Sequence, residues 1–454
     1  MLANLWFHGA AVQWKGSAKP FGPFVASPHM EVISGLPLSF VQPQCGLHVP
    51  IKNWLRLTGC FGGGQLIFFP VAQASFMRKH TVSLLIAALL ASALVASAQV
   101  AKPGTNVPAR PAQAPPLASP ELLADGGVTF RFKAPKASEV KVSGQFGRET
   151  ALVKDTQGVW SVTVPNVAPG VHEYHFVVDG LNVIDPQNPA VKPQRWPGVS
   201  ILHVPSTPLA PWDLQDIPHG TLHEHIYKSK ALGVWRRIIV YTPPYSEKLG
   251  RLPVLYLSHG YSDNEATWTV HGKAHWIMDS LIAGRKAVPM ILVMPDGHAL
   301  PPGTSGFGDY GPANSAALCD ELAKDVIPLV ESNYKVVAKP RSRAFAGLSM
   351  GGHHALTVGL NHHAEFNWIG AFSSAPPTTN TVSAGLNSAA AVNHDLKLFW
   401  IACGKKDFLF QRNNEFDALL KEKGIHHEYV ETEGDHSWPV WRRYLSEFAP
   451  KLFR

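Results

Sequence analysis

The chain of 454 residues is too long for one ordinary domain, and 45% hydrophobic against 16% charged residues excludes global disorder. The formal charge of +7 would suggest a nucleic-acid partner, but residues 1–98 hold six Lys/Arg and one acid, which leaves 34 basic against 32 acidic side chains elsewhere. With a near-neutral body and no basic stripe interleaved with aromatics, nucleic acid is not expected as a partner.

Residues 1–76 carry few charges, scattered Pro and Trp, and no sustained periodicity. Met77-Arg78-Lys79-His80, the apolar run Val82 to Val95 and then Ala96-Ser97-Ala98 have the three parts of a secretory signal peptide. The run is shorter than the roughly 20 residues of a membrane span. The reading is that translation begins at Met77, that residues 1–76 are not part of the natural product, and that 77–98 is a cleaved signal peptide. The alternative is a genuine extension with Val82–Val95 as a signal anchor. An exported protein, periplasmic or extracellular and without a membrane span when mature, is expected. Residues 99–121, rich in Pro and Ala, read as a linker. Beyond Cys45 and Cys60 of the first segment, Cys319 and Cys403 are expected to be buried free thiols and not a bridge.

From residue 122 to 205 the pattern is that of short strands. Val128-Thr129-Phe130-Arg131-Phe132, Val140-Lys141-Val142-Ser143, Val159 to Val164 and Tyr174 to Val178 alternate, separated by turn signals at Asp155–Gly158, Pro169-Gly170 and Asp179-Gly180. This spacing predicts a small all-β sandwich. Trp160 is expected in its core; Trp196, beside Pro197-Gly198, is the better candidate for an exposed contact.

After a Pro-rich connector, residues 219–454 alternate apolar strands with helices. Strands are expected from Arg237, running into a loop at Pro243-Pro244, and at Val254–Leu257, Met290–Met294, Ala344–Ala346, Trp368–Phe372, Leu398–Ala402 and Glu428–Val430. Helices are expected at Trp276–Ile282, Ala317–Asn333, His353–Leu360, Asn414–Gly424 and Trp438–Leu452. Such alternation means an α/β domain with a mostly parallel sheet and helices on both faces. Its ligands belong at the carboxyl ends of the strands. His223 and His225 point the same way from one strand, but no third ligand lies nearby in sequence, so polar strand histidines are expected and no metal. His362-His363 and His426-His427 read as surface pairs.

Gly347-Leu348-Ser349-Met350-Gly351 fits G-x-S-x-G between a strand and a helix, the context of a nucleophile elbow. An acyl-transfer serine needs a base, an orienting acid and oxyanion donors, and in the α/β-hydrolase order acid and then histidine follow the serine. Asp407 lies in the loop off strand Leu398–Ala402; His436 lies in the loop before the last helix. Glu433 and Asp435 are alternative acids, but adjacency to His436 makes a side-on bond to its ring awkward. The backbone N–H groups of Met350 and of Tyr261, in the loop Ser258-His259-Gly260-Tyr261, are the candidate oxyanion donors. The Gly/Pro-rich stretch Gly297–Gly311 is expected to line the substrate pocket, with Asp309, Tyr310 and Trp438 as candidate contacts. No cofactor is expected.

Two stretches carry a resemblance. Gly158-Val159-Trp160-Ser161, Pro169-Gly170-Val171-His172-Glu173-Tyr174, Val178-Asp179-Gly180 and Asp185-Pro186-Gln187-Asn188 resemble the immunoglobulin-like early-set domain found ahead of glycogen-branching enzymes and some esterases. Such domains bind glycans in some relatives, although a scaffold packed on the large domain is the default here. Leu257-Ser258-His259-Gly260, Val293-Met294-Pro295-Asp296-Gly297, Asp325-Val326-Ile327-Pro328, the elbow Gly347–Gly352 and His436-Ser437-Trp438-Pro439-Val440-Trp441 resemble the esterase D-like group. That group includes carbohydrate esterase family 1, with its feruloyl and acetylxylan esterases, and the enterochelin esterases. The resemblance implies an α/β-hydrolase fold with Ser349, Asp407 and His436 as triad. It implies a secreted serine esterase acting on feruloyl or acetyl esters of plant polysaccharide, whose partner is an acylated oligosaccharide. The alternatives are hydrolysis of a siderophore or other small ester, and a glycan-binding protein with an inactive hydrolase domain. The pair Lys405-Lys406 before Asp407 places positive charge near the acid.

Overall fold

A computed structural model describes residues 117–301 and 307–454, so the signal-peptide reading and most of the linker lie outside the described residues. Among the described residues, nine antiparallel strands build the first domain: β1 (Glu121–Leu122), β2 (Val128–Lys133), β3 (Val140–Gly144), β4 (Thr150–Ala151), β5 (Val153–Lys154), β6 (Val159–Val164), β7 (Gly170–Val178), β8 (Leu181–Val183) and β9 (Ser200–Val204). One sheet runs β1-β2-β6-β5 and the other β4-β3-β7-β8, with β9 on β7. The alternation in β2 turns Val128, Phe130 and Phe132 inward, where they meet Val140, Val142, Tyr174 and Phe176 of the facing sheet. Trp160 is buried among them and its indole N–H donates to Ala134 O at 2.8 Å. The shorter strands and β9 carry no clear alternation and were not legible.

Among its described residues the second domain holds eight strands: β10 (Thr221–Lys228), β11 (Trp235–Thr242), β12 (Val254–Ser258), β13 (Ile291–Pro295), β14 (Arg343–Leu348), β15 (Trp368–Phe372), β16 (Leu398–Gly404) and β17 (Glu428–Thr432). Their order is β10-β11-β13-β12-β14-β15-β16-β17; the pairs of β11 are antiparallel and all the others beyond it parallel. β12, β13 and β15 are buried along their whole length, because helices cover both faces. Val254 and Tyr256 enter the core on one face while Leu255 and Leu257 enter the core on the other.

The helices are α1 (Thr267–Val270), α2 (Ala274–Ala283), α3 (Phe307–Glu321), α4 (Ile327–Asn333), α5 (Met350–Asn361), α6 (Ser383–Leu386), α7 (Ala389–Asp395), α8 (Phe410–Glu422) and α9 (Trp438–Phe448), with a wide π turn at Leu322–Val326 joining α3 to α4. The expected helix from Ala317 thus begins ten residues earlier, and Gly308, Gly311 and Pro312 are helical instead of loop. Tertiary contacts override their propensity. Asn314 accepts the Leu300 N–H and donates to Gly297 O, and Leu318 and Leu322 are buried.

The two domains are pinned by a buried arginine. Arg442 of α9 donates to His271 O and, through its second terminal nitrogen, to Val171 O of β7, each at 3.0 Å. Burial draws its guanidinium down to about 10 while Glu173 and Asp213 oppose that shift. Among the described residues no helix is long and apolar enough to cross a membrane.

Candidate active site

Strand β14 delivers Ser349 into a turn with φ 54° and ψ −110°. A non-glycine residue there is strained by about 1–3 kcal/mol, and its surroundings must enforce it. They do so by close approach. A Cβ on Gly347 would lie 2.5 Å from the Gly351 carbonyl carbon, and one on Gly351 would lie 2.5 Å from Ser258 O. Only glycine fits at both positions. The Ser349 N–H donates to Phe372 O of β15, and its carbonyl accepts from the His353 N–H of α5, so the serine is tied to strand and helix together.

Asp407 follows β16 and His436 follows β17, at the same strand edge. The structure brings both to the serine. His436 Nδ1 donates to the Asp407 carboxylate at 2.9 and 3.0 Å, leaving Nε2 to accept from Ser349 Oγ at 3.0 Å. Burial pushes the Asp407 carboxyl up, but the hydrogen bond and charge of His436 and the Leu409 N–H outweigh it and hold the group below the usual carboxylate value. Glu433 faces Lys405 at 3.6 Å, and Asp435 accepts from the Ser437 hydroxyl, so neither alternative acid bonds the His436 ring. Lys405 is drawn to Glu433 and not to Asp407.

The loop after β12 stands opposite. The carbonyl of Gly260 accepts from the Asp263 N–H at 3.1 Å and from His259 Nδ1 at 2.8 Å. In a planar trans peptide the N–H points away from the carbonyl, so these bonds fix the direction of the Tyr261 N–H. Gly297 N–H donates to His259 Nε2 at 2.8 Å, which sets the imidazole tautomer. The Tyr261 carbonyl accepts from His298 Nε2 at 2.9 Å. Burial pushes the His298 imidazole down to about 3, keeping it neutral at pH 7.

Ser349, His436 and Tyr261 share a cleft of about 400 Å³. Phe408 and Trp441 stand against the His436 ring, at 4.5 and 4.9 Å between centroids. The opposite contribution comes from the sandwich: Gln145, Glu173 and Lys192 line the same cleft. None of these five was a sequence candidate, and nothing in the sequence pointed the three from the sandwich at the cleft. A larger cavity of about 790 Å³, lined among others by Arg236, Glu265, Asp296 and His298, shares no lining residue with it. That cavity holds no serine–histidine pair, so the chemistry is assigned to the smaller one.

The expected substrate contacts fare differently. Trp438 lines the cleft but is 2% exposed, its ring packed edge-on against Trp268 and Trp441, so it builds the floor. Tyr310 does not line the cleft: it is buried behind Tyr261, and its hydroxyl donates to His298 Nδ1 at 2.6 Å. The stretch expected to be a pocket-lining loop is partly helix, which turns Tyr310 inward. The side chain of Asp309 lies outside the described residues. His223 and His225 bond the Thr242 and Tyr334 hydroxyls, and among the described residues no group of three His, Cys, Asp or Glu could hold a metal. Of the histidine pairs read as surface, His427 is half-buried, its side chain 2% exposed against Asp417 of α8. Cys319 and Cys403 are free thiols.

A doubly covered parallel sheet with a serine on a strained strand-to-helix turn defines an α/β-hydrolase, here with an immunoglobulin-like sandwich before it. Residues 229–452 match the family Esterase, and residues 118–193 match carbohydrate-binding module 48, the isoamylase N-terminal domain. An endo-1,4-beta-xylanase/feruloyl esterase of Xylanibacter ruminicola is 34% identical over 73% of this chain and 45% of its own. This chain therefore spans less than half the length of that relative. An acetyl esterase of Caldicellulosiruptor saccharolyticus is 26% identical over 43% of this chain and 81% of its own. The enterobactin esterase of Shigella flexneri, at 20% identity and a TM-score of 0.52, covers 72% of this chain and 92% of its own and shares the fold.

Proposed function

We propose that the protein is a serine carboxylic-ester hydrolase that removes feruloyl or acetyl groups from plant polysaccharide. The observation that carries this reading is the hydrogen-bonded chain from Ser349 through His436 to Asp407, opening into a cleft. Ser349 Oγ attacks the ester carbonyl carbon as its proton passes to His436 Nε2, and Asp407 holds the imidazolium. The carbonyl oxygen becomes an oxyanion facing the N–H groups of Met350 and Tyr261. Collapse breaks the bond to the sugar oxygen, which takes the proton back from His436. Water, deprotonated by His436, then attacks the acyl-serine, releasing the acid and restoring Ser349.

The substrate class rests on the names of the two relatives and on the cleft's aromatic rim of Phe408 and Trp441. The module match of the sandwich supports glycan contact by that domain. The signal-peptide pattern of residues 77–98 supports export to the periplasm or outside the cell, which suits a polymer that does not enter cells.

Ser349→Ala is expected to abolish hydrolysis of p-nitrophenyl acetate; retained turnover would remove Ser349 from its role. The wild type is expected to release ferulate or acetate from arabinoxylan fragments. Hydrolysis of enterobactin without either release would move the substrate to the siderophore class.

A further inference from the structure

The sandwich does more than stand beside the cleft: one of its segments grips the loop that carries Tyr261. Each of the four residues 192–195 makes contact with residues 261–267. Gln194 bridges to Asp263 as a short antiparallel pair, and the Arg195 N–H donates to Ser262 O at 3.0 Å. The Arg195 guanidinium lies between the rings of Trp196 and Tyr261, at 4.2 and 4.7 Å, with Nη1 3.4 Å from Tyr261 O. Lys192 reaches Asp263 at 3.5 Å and Glu173 at 2.8 Å, with its side chain 6% exposed. Thr267 Oγ1 donates to Pro193 O at 2.6 Å, fastening the segment to the start of α1.

These contacts fall on the functional side of the loop. The Gly260–Tyr261 peptide is held from within the large domain by His259 and Asp263, as described. The next peptide, Tyr261–Ser262, is held at its carbonyl by His298 from the large domain and by Arg195 from the sandwich. Asp263, whose N–H fixes Gly260 O, keeps one carboxylate oxygen without a hydrogen bond, and Lys192 supplies the nearby cation. A hydrogen-bond donor aimed at a developing oxyanion works only if it is held in place before the charge forms. A loop clamped on one side would sample orientations that miss the oxyanion.

We propose that the segment Lys192–Arg195 of the N-terminal sandwich is a positioning element of the esterase site, clamping Tyr261–Asp263 so that the Tyr261 N–H is pre-aimed at the oxyanion. The proposal rests on the reading of Ser349 as nucleophile and Tyr261 as oxyanion donor. Neither Arg195 nor Lys192 touches the reacting atoms; they act through the loop. The sandwich is then required for turnover of a small ester that makes no contact with any polysaccharide surface.

The test compares wild type, Arg195→Ala, Arg195→Lys and Thr267→Val on p-nitrophenyl acetate, with a boronic acid inhibitor as mimic of the tetrahedral species. Arg195→Ala is expected to lower kcat about tenfold with KM within about twofold, a fraction of the loss seen on deleting an oxyanion donor outright. Its inhibition constant for the boronate is expected to rise in proportion. Arg195→Lys, which keeps a cation for Tyr261 O, is expected to recover most of the loss. Should Arg195→Ala fail to fold, Thr267→Val loosens the same clamp at Pro193 without changing side-chain shape, and a loss of about threefold in kcat alone is expected. An unchanged kcat in the folded variants, or a loss of kcat that leaves boronate inhibition untouched, overturns the proposal. A wild type without esterase activity overturns the underlying reading instead.

Discussion

The phenyl ring of Phe408 lies 4.5 Å from the imidazole of His436 at an angle of 50°, and the residue is 74% exposed. A large apolar side chain left in water beside the proposed base, directly after Asp407, is available to a ligand. An aromatic acyl group stacked there gains about 1 kcal/mol over its buried area, which is about fivefold in affinity. Phe408→Ala is therefore expected to raise KM for methyl ferulate about fivefold while leaving p-nitrophenyl acetate within about twofold. Steady-state kinetics on the two esters checks this. Equal losses on both would mean that Phe408 serves His436 and not the acyl group.

Among the described residues, Asp407 is the one acid bonded to the His436 ring, through Nδ1. Replacing it by asparagine keeps the shape but removes the charge that holds the Nδ1–H tautomer. Asp407→Asn is expected to lower kcat by about ten-thousandfold with KM little changed. Asp435→Asn and Glu433→Gln, whose carboxylates are engaged with Ser437 and Lys405, are expected to stay within about threefold of wild type. Activity surviving in Asp407→Asn but lost in Asp435→Asn would exchange their roles.

Glu173 gives the domain interface a pH dependence. Burial pushes its carboxyl up, but His271 and Lys192 outweigh that and hold it at about 2 against 4.5 when exposed. Between those values the unfolded chain binds the extra proton, so stability rises with pH there. The contribution is complete above about pH 5 and is lost as pH falls toward 2. His271 acts in the same sense: burial pushes it down to about 3, so it binds its proton more readily unfolded. Urea unfolding at a series of pH values is expected to show a loss on the order of a few kcal/mol between pH 6 and 3, shallower in Glu173→Gln. A slope equal in the variant and the wild type would place the acid sensitivity elsewhere.

The distribution of what could be read from sequence follows from the range of the interactions. Ser349, Asp407 and His436 each follow the carboxyl end of a strand, so local pattern and chain order located them, and the structure brings all three side chains together. The loop at Tyr261 was legible for the same reason. Lys192 and Arg195 were not, because their roles come from contacts with residues some seventy positions away and leave no periodic trace. Tyr310 was misplaced because Gly308, Gly311 and Pro312 suggest a loop, whereas Asn314 and Leu318 anchor that stretch as helix. Composition reports local preference, and here packing overrules it.

Arg442 is 1% exposed and joins β7 of the sandwich to the turn after α1 by its two terminal nitrogens. Truncation to alanine would leave Val171 O and His271 O without these donors and open a cavity where the side chain lay. Each loss of a partner to a buried carbonyl costs about 1–3 kcal/mol. Arg442→Ala is thus expected to destabilise the protein by about 2–5 kcal/mol. Arg442→Met fills most of the space and is expected to recover the packing part only. Because the loss falls on the joint between domains, the unfolding curve of Arg442→Ala should become broader, the sandwich separating before the large domain unfolds. Near-ultraviolet circular dichroism and limited proteolysis across a urea series read the two steps. A variant that unfolds in one sharp transition at the wild-type midpoint would show that Arg442 carries none of the coupling.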